Sequence, residues 1–118
     1  MAYSARKDSG YNMKILALGD IVGPDTVDEL GKRLWKYRKE NKIDFVTANG
    51  ENASEPNGID KQTAEALFDA GVDVITTGNH VWRKSVVFSY LDDKDEILRP
   101  LNFPSANPGH GDAIVSIN

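Results

Sequence analysis

Apolar positions along this chain fall into short continuous runs separated by amphipathic stretches, the pattern of consecutive βα units around a mostly parallel sheet. Lys14-Ile15-Leu16-Ala17-Leu18, closed by Gly19-Asp20, predicts a first strand covered on both faces. Pro24 and Asp25 suit a first helical turn. Val27, Leu30, Leu34 and Tyr37 then recur at helical spacing, so a helix is expected to end near Asn41. Residues 44–48 predict a second strand, and residues 49–58 a polar loop rich in turn formers. Asp60 suits the N-cap of a helix through Ala70, with Thr63, Ala66, Leu67 and Ala70 inward and Gly71 as its stop. Residues 72–76 predict a third strand leading into Thr77-Gly78-Asn79-His80, residues 85–91 a short helix, and residues 92–96 an exposed turn. Residues 99–111 are irregular, and residues 113–117 predict one more strand. The fold class is α/β, preceded by a polar, aperiodic segment, residues 1–12, taken as a flexible N-terminal extension.

The composition narrows what such a fold can do. At 118 residues the chain has room for one core and not two. Its 14 Lys and Arg against 18 Asp and Glu leave a formal charge of −4, which opposes any general electrostatic grip on nucleic acid or an anionic membrane. Lys32, Arg33, Lys36, Arg38 and Lys39 cluster on the first helix, and read as a solvated face near its C-terminus. No apolar stretch approaches the roughly 20 residues that cross a bilayer, and no signal-like run opens the chain, so the expected location is cytoplasmic. Without cysteine there is no disulfide, thiolate metal site or cysteine nucleophile, and any metal ligand must be carboxylate, amide or imidazole.

Three polar clusters directly follow the three predicted strands: Gly19-Asp20, Asn49-Gly50-Glu51-Asn52 and Gly78-Asn79-His80. Ligands of open α/β sheets bind outside the carboxyl ends of the strands, so parallel neighbours would gather Asp20, Glu51, Asn52, Asn79 and His80 at one rim. Two carboxylates and two amides there make a hard, oxygen-rich set; like charges on Asp20 and Glu51 would repel unless a cation lay between them. A carboxylate at Glu51 could bridge two metals about 3.5–4 Å apart, and His80 could protonate a leaving oxygen. Glycines 19, 50 and 78 would let the backbone approach closely. Taken singly, Asp20 has a plain reading as a helix cap and the asparagines as turn formers. His110 is expected to face solvent, and Trp35 and Trp82 to be packing residues. Walker, dinucleotide and nucleophile-elbow patterns are absent.

Four ordered motifs carry a resemblance: residues 13–23 around Gly19-Asp20, Asn49-Gly50-Glu51-Asn52-Ala53, Thr77-Gly78-Asn79-His80-Val81-Trp82, and Arg99-Pro100-Leu101-Asn102-Phe103-Pro104. In order and spacing they resemble the bacterial YmdB-type metallophosphoesterases, a branch of the calcineurin-like phosphoesterase superfamily. The resemblance implies a two-metal phosphodiesterase, with iron or manganese, acting on cyclic nucleotides such as 2′,3′-cyclic monophosphates. By motif, Asp20 and Asn52 would ligate one metal, Glu51 would bridge both, Asn79 would ligate the second, and His80 would be the proton donor. It implies a two-sheet αββα sandwich, commonly oligomeric, of which residues 13–118 supply the N-terminal portion. Family members are roughly twice as long and place their remaining histidine ligands in the second half. With only His80 and His110 here, the dinuclear site is expected to be incomplete in this chain. The sequence also departs from the family at Asp25-Thr26, where a Gly-Arg is usual, and at Arg83, where an acidic residue is usual. A homo-oligomer is expected to cover the open sheet; the alternative is a non-catalytic nucleotide- or phosphate-binding module, or an oligomer-forming one.

Overall fold

The computed structural model describes residues 2–6 and 12–117. In chain order these form β1 (Ala2–Arg6), β2 (Asn12–Asp20), α1 (Pro24–Asn41), β3 (Phe45–Asn49), α2 (Lys61–Ala70), β4 (Val74–Thr76), a 3-10 turn (Ser85–Val87) running into α3 (Phe88–Asp93), and β5 (Ile97–Leu98). The strands lie in the order β1-β2-β3-β4-β5; β2 to β5 pair in parallel, and β1 runs antiparallel beside β2. This is the mostly parallel α/β sheet that the sequence predicts.

Alternation along the parallel strands assigns their two faces. Leu16, Val46, Ala48, Ile75 and Ile97 are buried and meet Val27 and Leu34 of α1 and Leu67 of α2 in one core. The opposite face carries Met13, Ile15, Phe45, Thr47, Val74, Thr76 and Leu98, which with Ala113, Val115 and Ile117 line a groove of about 410 Å³.

Local chemistry sets the helix ends. Pro24 sits in the first turn of α1 with Asp25 beside it, where the missing amide costs nothing and the carboxylate faces the positive dipole end. At the far end Lys42 adopts a left-handed conformation, and its N–H and that of Ile43 return to carbonyls of the last turn. For α2, the Asp60 carboxylate accepts from the Thr63 N–H at 2.8 Å, and Gly71, at φ 114°, closes the helix.

Several expectations are corrected. Ala2–Arg6 is a strand, because ladder pairing uses backbone groups that polar, aperiodic side chains do not reveal; residues 1 and 7–11 of the expected extension, and Asn118, lie outside the described residues. The inward stripe of α2 is Ala64, Leu67 and Ala70, with Ala66 exposed. Thr63 is turned aside to accept from the Ser54 hydroxyl at 2.9 Å. Tyr37 is half exposed, flanking the sheet beside Leu16, Leu18, Leu30 and Leu34. Residues 113–117 alternate against the sheet face but form no strand among the described residues, since alternation records which side chains are covered and not whether the backbone has a ladder partner. The weakly patterned residues 97–98 do form β5, beside β4.

On the basic face, Lys32 and Arg33 pair with Glu29 and Lys36 with Glu40, all exposed. Arg38 instead turns inward: it pairs with Asp73 at 3.0 Å and donates to the carbonyls of Gly71 and Asp44. Trp35, expected to pack, lies at the same seam but is more than half exposed, with its indole N–H on the Asp69 carbonyl and Arg38 over its ring. Trp82 stacks at a tilt on Phe103, with centroids 5.1 Å apart.

Candidate metal and catalytic site

The rim at the carboxyl ends of β2, β3 and β4 is built first in backbone. The register of β2 on β3 slips between Leu18 and Asp20, a bulge that brings Asp20 level with Asn49 and re-aims its side chain toward the loop after β3. The Ile21 N–H donates to the Asn49 carbonyl at 2.9 Å, Gly23 to Asn52 at 3.0 Å, and Gly50 to Thr76 at 2.9 Å. These bonds stitch the three loops into one surface.

The side chains then close a network across it. Asn52 donates through Nδ2 to both Asp20 oxygens, at 3.1 and 3.0 Å. Its Oδ1 lies 2.6 Å from His80 Nδ1. The His80 backbone N–H donates to Glu51 Oε2 at 2.8 Å, and the imidazole Nδ1 is 3.9 Å from that oxygen. The donor roles follow from chemistry. An ionised Asp20 only accepts, so Asn52 presents its NH2 to Asp20 and its oxygen to His80. His80 Nδ1 therefore carries the proton, which leaves Nε2 as the ring nitrogen free to exchange one with a ligand.

Glu51, only 14% exposed in its side chain, is held on several sides. Besides the His80 N–H, its Oε1 receives Asn49 Nδ2 at 3.4 Å, while Asn49 Oδ1 accepts from the Glu51 N–H at 3.0 Å. Gly78 supplies the floor: a Cβ there would stand 2.8 Å from Oε2 and 2.9 Å from Cδ. Gly50 is fixed for a different reason, since a Cβ would strike Ile75 Cγ2 at 2.8 Å in the core. Gly19 has open space, so crowding by neighbouring protein atoms requires glycine at positions 50 and 78 and not at 19.

Asp20, Glu51, Asn52 and His80 are thus brought together in one hydrogen-bonded network. Asn79 stands exposed at its edge, and its side chain meets no hydrogen-bond partner among the described residues. Two carboxylates with amide oxygens suit a hard divalent cation in kind. No group of three or more His, Cys, Asp or Glu arranged to hold a metal ion occurs among the described residues, so the donor set present here fits part of a coordination sphere. His110, expected to face solvent, is a tie: its Nε2 meets the Asp92 carbonyl at 2.8 Å, and its own carbonyl accepts from the Arg99 N–H.

Asn49 forms the turn expected of it, its Oδ1 accepting from the Glu51 N–H. Sequence reasoning missed three further supports. The Asn49 Nδ2 also reaches Glu51 Oε1. The Thr77 hydroxyl donates to the Leu98 carbonyl at 2.6 Å and ties the Gly78 loop to β5. Arg99, 7% exposed, spends its guanidinium on the carbonyls of Pro100, Phe103 and Gly109 and so holds the irregular 99–111 segment in shape. A buried arginine bonded only to carbonyls has no periodic sequence signature.

Comparison with known proteins adds an independent line. The family described as YmdB-like protein matches residues 16–118. A 2′,3′-cyclic-nucleotide 2′-phosphodiesterase of Bacillus subtilis is 38% identical over 106 residues, covering 90% of this chain and 40% of its own length. A putative phosphatase/phosphodiesterase of Mycoplasma pneumoniae is 29% identical over 111 residues, with 91% and 40% covered. The crystal structure of a novel phosphatase from M. pneumoniae superposes with a TM-score of 0.81 at 28% identity, covering 100% of this chain and 41% of that one. A hypothetical protein from Thermus thermophilus gives 0.76 at 36% identity, with 84% and 38% covered. The chain thus spans about two fifths of the length of the relatives it matches.

Proposed function

From the premise that the chain belongs to the YmdB-like family, we propose that it supplies one wall of a metal-dependent phosphodiesterase centre acting on 2′,3′-cyclic nucleotides. The observation that carries this reading is the continuous network Asp20–Asn52–His80–Glu51, contributed by three successive βα loops. The phosphoesterase family implies divalent metals. In this reading Asp20 and Asn52 would hold one ion, Glu51 would bridge two, and Asn79 would reach the second, with iron or manganese as the metal. When bound, such ions neutralise phosphate charge and lower the pKa of a bound water toward about 7.

This chain's own residues do the rest. Glu51 is kept in place by the His80 N–H and the Gly78 floor, so its carboxylate is oriented before any ligand arrives. His80 keeps its Nδ1 proton on Asn52 and, when Nε2 is protonated, delivers that proton to the leaving oxygen. The described residues supply part of a ligand set, and the apolar face bearing Ile15, Phe45 and Leu98 supports assembly as a homo-oligomer. No helix among the described residues is long and apolar enough to cross a membrane, and the reading places the enzyme in the cytoplasm.

Calorimetric Mn²⁺ titration of wild type and Glu51→Ala, with hydrolysis of 2′,3′-cyclic AMP and of a chromogenic phosphodiester, tests this. Weaker Mn²⁺ binding in the variant and metal-dependent turnover in wild type are expected. Equal affinity in the two proteins, with no turnover in folded wild type, would overturn the reading. A second reading, a nucleotide- or phosphate-binding module without turnover, is favoured by the lack of a complete His, Asp and Glu metal cluster among the described residues. It predicts saturable cyclic-nucleotide binding by wild type with no product.

A further inference from the structure

Asn49 has two functions that its sequence position alone does not separate. Its Oδ1 accepts from the Glu51 N–H at 3.0 Å, an Asx turn of the kind that shapes many loops. Its Nδ2 donates to Glu51 Oε1 at 3.4 Å, on the opposite side of the carboxylate from the His80 N–H, which holds Oε2 at 2.8 Å. With Gly78 beneath, both oxygens and the floor of that carboxylate are fixed by groups of this chain. A carboxylate held at one oxygen alone can still swing about its terminal torsion, which is broad for glutamate. Held at both, it cannot.

We propose that Asn49 is a positioning residue that fixes the plane of the Glu51 carboxylate, beyond its part in the turn. The inference deepens the phosphodiesterase reading and rests on it for its catalytic meaning, while the geometry it describes is testable without turnover. The hydrogen bonds of the Asn49 side chain both go to Glu51. Asn49 acts through Glu51, and its amide is the one side-chain donor on Oε1 among the described residues.

Two substitutions separate the functions. Asn49→Ser keeps a hydroxyl that can accept in the turn but is too short to reach Oε1. Asn49→Asp keeps the acceptor and sets a like charge against Oε1 at pH 8. The reporter is the His80 backbone amide, read by NMR hydrogen exchange on the full chain at pH 8, because its acceptor is the carboxylate in question. Both variants are expected to shift that resonance and raise its exchange rate roughly tenfold, the loss of about one charge-assisted bond. The Ile21 amide, bonded to the Asn49 backbone carbonyl, serves as the internal control for the backbone at position 49 and should be unchanged. In a Glu51→Ala background, where the His80 amide has already lost its acceptor, neither substitution should add to the effect. Wild-type exchange at His80 in both variants, or an equal increase with Glu51 removed, would overturn the proposal. In the hydrolysis assay the variants should lower kcat with little change in KM; no turnover in wild type would count against the phosphodiesterase reading and leave the exchange result standing.

Discussion

Replacing Gly78 with alanine places a methyl group where the Glu51 carboxylate rests, 2.8 Å from Oε2 and nearer still to Oε1. Gly78 is not among the residues with positive φ, so alanine fits the backbone without strain. What must move is the end of a flexible side chain, and it moves by giving up the hydrogen bond from the His80 N–H. A hydrogen bond to a charged group contributes about 1.5–3 kcal/mol. Alanine returns about 0.4–1 kcal/mol by restricting the unfolded chain. The net destabilisation is then about 0.5–2.5 kcal/mol, or about 2–10 °C in Tm for a domain of this size. Urea unfolding followed by tryptophan fluorescence should show a lower midpoint with the slope unchanged. An alanine variant at least as stable as wild type, with the His80 amide resonance unmoved, would refute the argument that Glu51 excludes a side chain at position 78.

Two further outcomes concern the scaffold. Arg38→Ala should cost about 2–4 kcal/mol in the same unfolding measurement, because it strips Asp73 and the Gly71 and Asp44 carbonyls of a buried donor; the value falls below that of a fully buried pair because Asp73 is about a third exposed. A loss under about 0.5 kcal/mol, the size of an ordinary exposed pair, would show that the seam between α1 and the sheet does not depend on that ion pair. At Asp60, burial pushes the carboxyl upward, but the Thr63 N–H and hydroxyl, Lys84 and Ser54 outweigh it and hold the pKa below its ordinary value. A depressed folded pKa means the Asp60 contribution is full above the unfolded value, about 4, and is lost as pH falls through the folded one. Asp60→Ala should therefore cost about 1 kcal/mol at pH 7, with a smaller difference from wild type at pH 3; a difference that grows on acidification would contradict the capping argument.

Local chemistry settled more of this molecule than its long-range contacts did. Pro24, Asp60 and Gly71 marked helix ends that the structure reproduces, because caps and stops depend on backbone groups within a few residues. The three strands, each ending in a polar cluster, were legible from apolar runs, and parallel pairing then required Asp20, Glu51 and His80 to share a rim. The sequence could not reveal β1, β5 or the unpaired state of residues 113–117, since ladder pairing is a property of two segments and leaves no mark in the side chains of one. Nor could it reveal that Arg38 leaves its basic neighbours for Asp73, that Gly78 is glycine because Glu51 fills the space, or that Asn49 faces Oε1. Residue types along the chain determined which chemistry was available at the strand ends. Only the tertiary fold, by bringing groups about thirty residues apart within hydrogen-bond reach, decided which of them hold one another and which, like Asn79, make no side-chain hydrogen bond among the described residues.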